Sequence, residues 1–306
     1  MKATEQLTTM LAAAAPPVAV EAPAKINLYL HVVGRRADGY HLLDSLAAFA
    51  GIGDTVEAAP AEALGLSIDG PFAHDLGDGE DNLVLRAAHA LAAASGRQAA
   101  ARIHLTKRLP VASGIGGGSA DAAATLHALA RLWRLDFGPA ALAAIGLALG
   151  ADVPVCVYGR SAFFAGIGEI VTPAPALPPA WLVLTNPGIA LATPHVFKAR
   201  SGSFSGPGRF EAAPANAAEL ATVLRLRGND LTAAAIQLAP VIGTVLAELE
   251  ALPGALLTRM SGSGATCFAL FAEQAAAETA AERLRTRQPG WWVVAAPLLA
   301  NAPPTG

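Results

Sequence analysis

Between Ala101 and Trp133 the chain changes its hydrophobic period. Ala101 to Leu105 (ARIHL) alternates apolar and polar side chains, as a strand does. Ala120 to Trp133 instead places Leu126, Leu129, Leu132 and Trp133 at helical spacing. Between the two periods lie Gly114, Gly116, Gly117 and Gly118, followed directly by Ser119. The pattern predicts a strand, a glycine loop and a helix N-terminus in succession.

Upstream, Ala24 to Val33 (AKINLYLHVV) sets Ile26, Leu28 and Leu30 on one face and Lys25, Asn27, Tyr29 and His31 on the other. That is the pattern of a half-buried strand. Val18 to Glu21 predicts a further short strand, and Asp38-Gly39 marks a turn. His41 to Ala59 predicts one or two strands broken near Gly51-Ile52-Gly53, and Leu64 to Asp69 predicts another. Asp81-Asn82 caps a helix that reaches about Ser95 and is closed by Gly96. Downstream, Pro139 opens a helix over Ala140 to Leu149 that Gly150 ends, and Ser161 to Val171 predicts a hairpin around Gly166. Trp181 to Thr185 reads as a strand, Thr193 to Ala199 as a short helix, and Ser201 to Pro214 as a mobile surface loop. Helices follow to Leu252, then two strands around Ser261-Gly262-Ser263-Gly264, a helix over Glu273 to Arg287 and a last strand, Trp291 to Ala296. Strands and helices intersperse without regular alternation, which predicts two α+β lobes and not a doubly wound parallel sheet. The proline-rich stretch Pro173 to Pro179 is the expected connection. The expected division is a flexible extension over 1–16, a first lobe over 17–172 and a second over 173–300.

Composition narrows the function classes. At 306 residues the chain buries a substantial core, and a net charge of -3 gives no global basic field for nucleic acid. Although 53% of residues are hydrophobic, much of that is alanine, and no bulky apolar run reaches the roughly 20 residues of a membrane span. Cys156 and Cys267 lie far apart without metal-ligand spacing and read as small buried hydrophobes. Glu5, Thr8, Thr9 and Pro16-Pro17 interrupt the alanine-rich start, so a cytoplasmic location is expected over export.

The glycine loop carries the candidate chemistry. An isolated GIGGGS is equally compatible with a flexible turn. Ahead of a helix, though, its N–H groups and the helix dipole make an anion site, most often for phosphate. No lysine follows the glycines as a P-loop requires, and Ser119 stands where a dinucleotide fingerprint needs its last glycine. The pattern PxxxGxGGGSA, from Pro110 to Ala120, resembles the ATP loop of the GHMP kinases. Two further segments fit: Pro23 to Asp44 (PAKINLYLHVVGRRADGYHLLD), and Thr258 to Phe268 (TRMSGSGATCF). With Gly150 to Pro154 (GADVP) they are similar to the GHMP branch that phosphorylates 4-diphosphocytidyl-2-C-methyl-D-erythritol, and GRRADGYH is the discriminating piece.

The resemblance implies the two-lobed α+β GHMP kinase fold, with an N-terminal ATP-binding lobe and a C-terminal ferredoxin-like lobe. It implies ATP with Mg²⁺, whose ligands it does not assign, a small-molecule acceptor, and no nucleic-acid or membrane partner. The oligomeric state stays open. It assigns catalysis to Lys25 and Asp152, although alone Lys25 reads as a solvated edge lysine and Asp152 as a helix cap. ATP contacts fall on Pro110, Val111, Ala112, Ser113, Gly114, Ile115, Gly116, Gly117, Gly118, Ser119 and Ala120. Ser119 is expected to cap the helix, and Ala120 replaces a serine common in the family. Lys107 either reaches the nucleotide or is solvated. Asp121 is expected to point away from phosphate. Asn27, Tyr40, His41, Thr193 and Phe197 are the implied acceptor contacts, with Tyr40 and Phe197 on either face of the cytosine and His41 on its polar edge. The alternatives are a homoserine- or mevalonate-type GHMP kinase, or a silent nucleotide-binding homologue.

Overall fold

The computed structural model describes residues 16–76, 79 and 81–299, so the expected extension lies outside them except for its last residue. The first half contains β1 (Val18–Arg35), β2 (His41–Ala59), β3 (Gly65–Asp69), α1 (Leu83–Ala94), β4 (Arg102–Thr106) and α2 (Gly117–Leu132). It continues through α3 (Pro139–Leu147), α4 (Val153–Tyr158), β5 (Ala162–Gly166) and β6 (Ile170–Pro173). The second half contains β7 (Trp181–Asn186), α5 (Thr193–Ala199), α6 (Ala217–Arg225), α7 (Thr232–Leu238) and α8 (Val241–Glu250). It ends with β8 (Leu257–Met260), β9 (Cys267–Phe271), α9 (Gln274–Arg287) and β10 (Trp292–Leu299).

The strands join into one sheet in the order β3-β4-β2-β10-β7-β9-β8, with β1 and β5 also paired to β2. Only β3 and β4 pair in parallel; the other pairs of these strands are antiparallel. The last strand returns to the first half, where Leu298 and Leu299 meet Ala50 and Phe49. One apolar cluster spans that seam, with Ile26, Leu28 and Leu46 packed into the same core as Leu182, Leu184, Leu220 and Phe268. Each such side chain stabilises the joined lobes by about 2 kcal/mol. A second cluster seats α1 and α2 on β2 and β4 through Val84, Leu91, Ile103, Leu105, Leu126 and Leu129. Buried alanines along α2 let that helix lie close to the sheet and to α1.

Three expectations are corrected. First, β1 is not half-buried: Lys25 and Asn27 are as hidden as Ile26 and Leu28, and a register shift after Asn27 puts Tyr29 into the core of Ile26 and Leu28. Its polar face is covered by the glycine loop, whose Ile115 carbonyl accepts the Lys25 N–H at 2.9 Å. Second, β2 runs unbroken through Gly51 and Gly53. Gly53 serves close approach, since a Cβ there would stand 2.5 Å from the Ala22 carbonyl oxygen on β1. Third, the 201–214 segment is pinned. Asp44 accepts from the Gly208 N–H at 2.6 Å and from Arg209 Nε at 2.9 Å, and also takes the Tyr29 hydroxyl. The expected hairpin around Gly166, the short helix at Thr193–Ala199 and the two free, buried cysteines are all present. Among the described residues no helix is long and apolar enough to cross a membrane.

Candidate active site

Local backbone geometry builds the site from three loops around β1. After β1 the chain turns tightly, with the Gly39 N–H donating to the Arg36 carbonyl and the Arg36 N–H to that of Tyr40. That turn delivers Tyr40 and His41 to the start of β2. The glycine loop follows β4, where Gly114 and Gly116 hold φ values of 77° and 64° that favour glycine. Its helix begins at Gly117, capped by the backbone of Gly116 without any side chain. Ser119 is therefore the third helical residue, and the expectation that it caps the helix is corrected: the left-handed Gly116 starts the helix earlier. The third loop, Ser261 to Gly264, joins β8 to β9. Ser261 accepts from the Asn27 N–H at 3.0 Å and donates to the Gly114 carbonyl at 3.0 Å, so one hydroxyl ties β1 to the glycine loop.

These loops enclose a cavity of about 1320 Å³ whose wall includes Lys25, Asn27, Gly116, Asp152, His41 and Phe197. Tyr40, Thr193, Pro110 to Gly114 and Gly117 to Ser119 also line it, while Ile115 and Ala120 are buried behind it. Lys25 is 2% exposed, and its ammonium donates to Asn27 Oδ1 at 2.7 Å and meets Asp152 Oδ2 at 2.8 Å. Neither reading of these residues in isolation holds. Lys25 is not solvated. Asp152 occupies the N-cap position of α4, but its side chain caps nothing and turns to Lys25 instead. At 36% exposure the Asp152 carboxylate is the end of the pair that solvent reaches. Asn27 is committed on both sides, with Nδ2 donating to Ser45 Oγ at 2.8 Å. That arrangement fixes the amide orientation, and with it the lysine.

Lys107 is also buried, which overturns the solvated alternative. Its ammonium bonds Asp54 at 2.5 Å and Asp121 at 2.7 Å. Burial pulls its pKa down, but the two carboxylates outweigh that and raise it. Asp54 further accepts the N–H groups of Arg108 at 2.6 Å and Leu109 at 2.9 Å, anchoring the start of the loop. Asp121 does not point away: it faces Lys107 beneath the loop. A Cβ on Gly117 would stand 3.1 Å from Lys107 Nζ, so this glycine accommodates the ion cluster below it. Sequence reasoning missed Asp54, Ser45 and Asp44. The available signal was polar residues embedded in the apolar β2.

At the other end of the cavity His41 stacks on Phe197, ring centroids 5.3 Å apart and 26° between planes. Burial, then the charges of Arg35 and Arg200, lower the His41 pKa and keep the ring neutral. Tyr40 stands at the rim, 62% exposed. The structure thus brings His41 and Phe197 together, where the resemblance implied Phe197 opposite Tyr40. The Thr193 hydroxyl lies 2.8 Å from that of Ser263, tying the start of α5 to the third loop.

The pattern of the GHMP kinases N terminal domain matches residues 82–160, and that of the GHMP kinases C terminal domain matches 211–290. A 4-diphosphocytidyl-2-C-methyl-D-erythritol kinase of Paramagnetospirillum magneticum is 57% identical over 92% of this chain and 98% of its own. The chain belongs to the 4-diphosphocytidyl-2-C-methyl-D-erythritol kinase family. Another relative of that name, from Cereibacter sphaeroides, is 58% identical over 89% of this chain and 96% of its own. A crystal structure of 4-(cytidine 5'-diphospho)-2C-methyl-D-erythritol kinase superposes with a TM-score of 0.74 at 36% identity, covering 92% of this chain and 98% of that one. A homoserine kinase from Cytophaga hutchinsonii superposes with a TM-score of 0.71 at 17% identity, over 94% and 95% of the two chains, and shares the fold alone. The kinase family thus accounts for the two-lobed α+β architecture expected from the sequence.

Proposed function

We propose that this protein transfers the γ-phosphoryl group of ATP to the 2-hydroxyl of 4-diphosphocytidyl-2-C-methyl-D-erythritol, a step on the methylerythritol phosphate route to isoprenoid precursors. The observation that carries this reading is the Lys25–Asp152 pair, 2.8 Å apart and facing the same cavity as the glycine loop. Backbone N–H groups of residues 114–119 would cradle the ATP phosphates at the N-terminus of α2. Asp152 would orient the acceptor hydroxyl and take its proton. Lys25, locked by Asn27, would stabilise charge on the transferring phosphoryl and on the developing alkoxide. A silent homologue has no use for this intact pair.

Among the described residues no group of three His, Cys, Asp or Glu side chains could hold a metal ion. A Mg²⁺ accompanying ATP would sit chiefly on phosphate and water oxygens, as it commonly does. A cytoplasmic location, and a lobe boundary at the proline-rich connection near 173, belong to the same proposal.

Neutral His41 keeps one unprotonated ring nitrogen that would accept from the cytosine amino group. Uracil exchanges that amino donor for a carbonyl and leaves the nitrogen facing another acceptor. The test measures ADP release with the cytidine substrate, its uridine analogue, homoserine and mevalonate. The cytidine substrate is expected to exceed the uridine analogue by about 10²-fold or more in kcat/KM, with the other two inert. His41→Ala is expected to shrink that preference below roughly tenfold. Equal use of both bases would remove the cytosine assignment. Preference for homoserine or mevalonate would leave only the kinase class.

A further inference from the structure

The ion cluster under the glycine loop contains one oxygen that nothing satisfies. Asp121 is 3% exposed and its Oδ2 accepts the Lys107 ammonium at 2.7 Å. Its Oδ1 is buried and has no hydrogen-bond partner among the described residues. The same side chain forms part of the cavity wall beside Gly116 to Ser119. It hangs from the fifth residue of α2, just inside the N-terminus at which phosphate would bind. An ionised carboxylate is poorly served there. It would leave a charge-bearing oxygen unpaired in a dry site, and it would repel the anion the loop collects. The neutral acid has neither cost; its O–H has the Asp54 carboxylate within hydrogen-bond reach on one side and the nucleotide cavity on the other.

We propose that Asp121 works as a neutral carboxylic acid whose O–H is donated to a phosphate of the nucleotide held by the glycine loop. The proposal rests on residues 114–119 being the ATP phosphate site. Three titratable groups face Asp121: Lys107 from the segment after β4, Asp54 from β2 and Cys156 from α4. The single Lys107 charge is shared with Asp54, which accepts three hydrogen bonds where Asp121 accepts one. Burial pushes the Asp121 pKa up to about 8, Lys107 opposing and Asp54 adding to the rise. The raised value fixes the sign. Below about pH 8 the acid holds its proton and phosphate binds at full strength. Above it, binding must first return that proton, so ATP affinity falls towards about tenfold per pH unit.

The experiment titrates Mg-ATP into the full-length protein by calorimetry at pH 8.5, in two buffers of different ionisation enthalpy. The terminal phosphate is fully ionised at that pH, so it takes up no proton of its own. Uptake of roughly 0.5–1 proton per ATP is expected. Asp121→Asn keeps an N–H donor and is expected to bind ATP without uptake, with an affinity flat from pH 7 to 9. Asp121→Ala is expected to bind several-fold more weakly at pH 7. Wild-type binding without proton uptake overturns the proposal, and so does an Asp121→Asn profile that parallels wild type. Should that variant fail to fold, the wild-type proton count decides. Failure of wild type to bind ATP at all would instead remove the phosphate-site reading.

Discussion

Asp152→Asn is expected to lower kcat by about 10²-fold or more while leaving ATP binding near its wild-type level. The substitution keeps the size of the side chain and a hydrogen bond to the acceptor hydroxyl, and removes the charge and the basic lone pair. Lys25 retains Asn27 as a partner at 2.7 Å, so it should stay in place. The carboxylate is 36% exposed at its end of the pair, which lets solvent screen the lost charge. Thermal stability should accordingly change little. The Asp152 carboxylate is paired with Lys25 and makes no hydrogen bond to the glycine loop among the described residues, so ATP-induced stabilisation should persist. Pre-steady-state kinetics with the cytidine substrate would show slow phosphoryl transfer and an ordinary ATP dissociation constant. Turnover within a few-fold of wild type would mean that another group takes the proton.

Gly114→Ala is expected to cost about 2–4 kcal/mol of stability and most of the ATP affinity together. This glycine sits at φ 77°, which disfavours any side chain. An added Cβ would stand 2.5 Å from the Ser261 carbonyl oxygen and 2.6 Å from that of Gly264. Both are backbone atoms and cannot rotate aside. Relief requires the glycine loop and the 261–264 loop to part, which breaks the Ser261 bridge to Gly114 and Asn27. The melting temperature should drop by roughly 3–6 °C for a chain of this size. Gly118→Ala is the control. Its Cβ would meet only the tip of Leu83 at 3.2 Å, and the position is already helical. Its stability should match wild type within about 1 kcal/mol. Similar melting temperatures for all three proteins would mean the two loops are not closely locked.

Much of this protein is written locally. The period change around residues 101–133 specifies β4, loop and α2, because side-chain direction follows directly from backbone period. Gly166 and the 173–179 prolines mark breaks for equally local reasons. The motifs PAKINL, GIGGGS, GADVP and SGSGA mark the places that tertiary folding then brings into one cavity. Periodicity cannot report what covers a strand. Lys25 and Asn27 alternate as if facing water, yet they are buried because a loop from beyond residue 110 lies over them. Lys107 reads as a nucleotide contact or a solvated charge, and Asp121 as pointing away from phosphate, for the same reason. Their burial depends on Asp54, more than fifty residues before Lys107, supplying the second carboxylate. Asp152 stands where a helix cap belongs, and only the approach of Lys25 on β1 draws its carboxylate away from the helix. In each case the sequence by itself determined the chemistry a residue could offer. The tertiary structure decided its partner, because desolvation and ion pairing act through space between segments far apart in the chain.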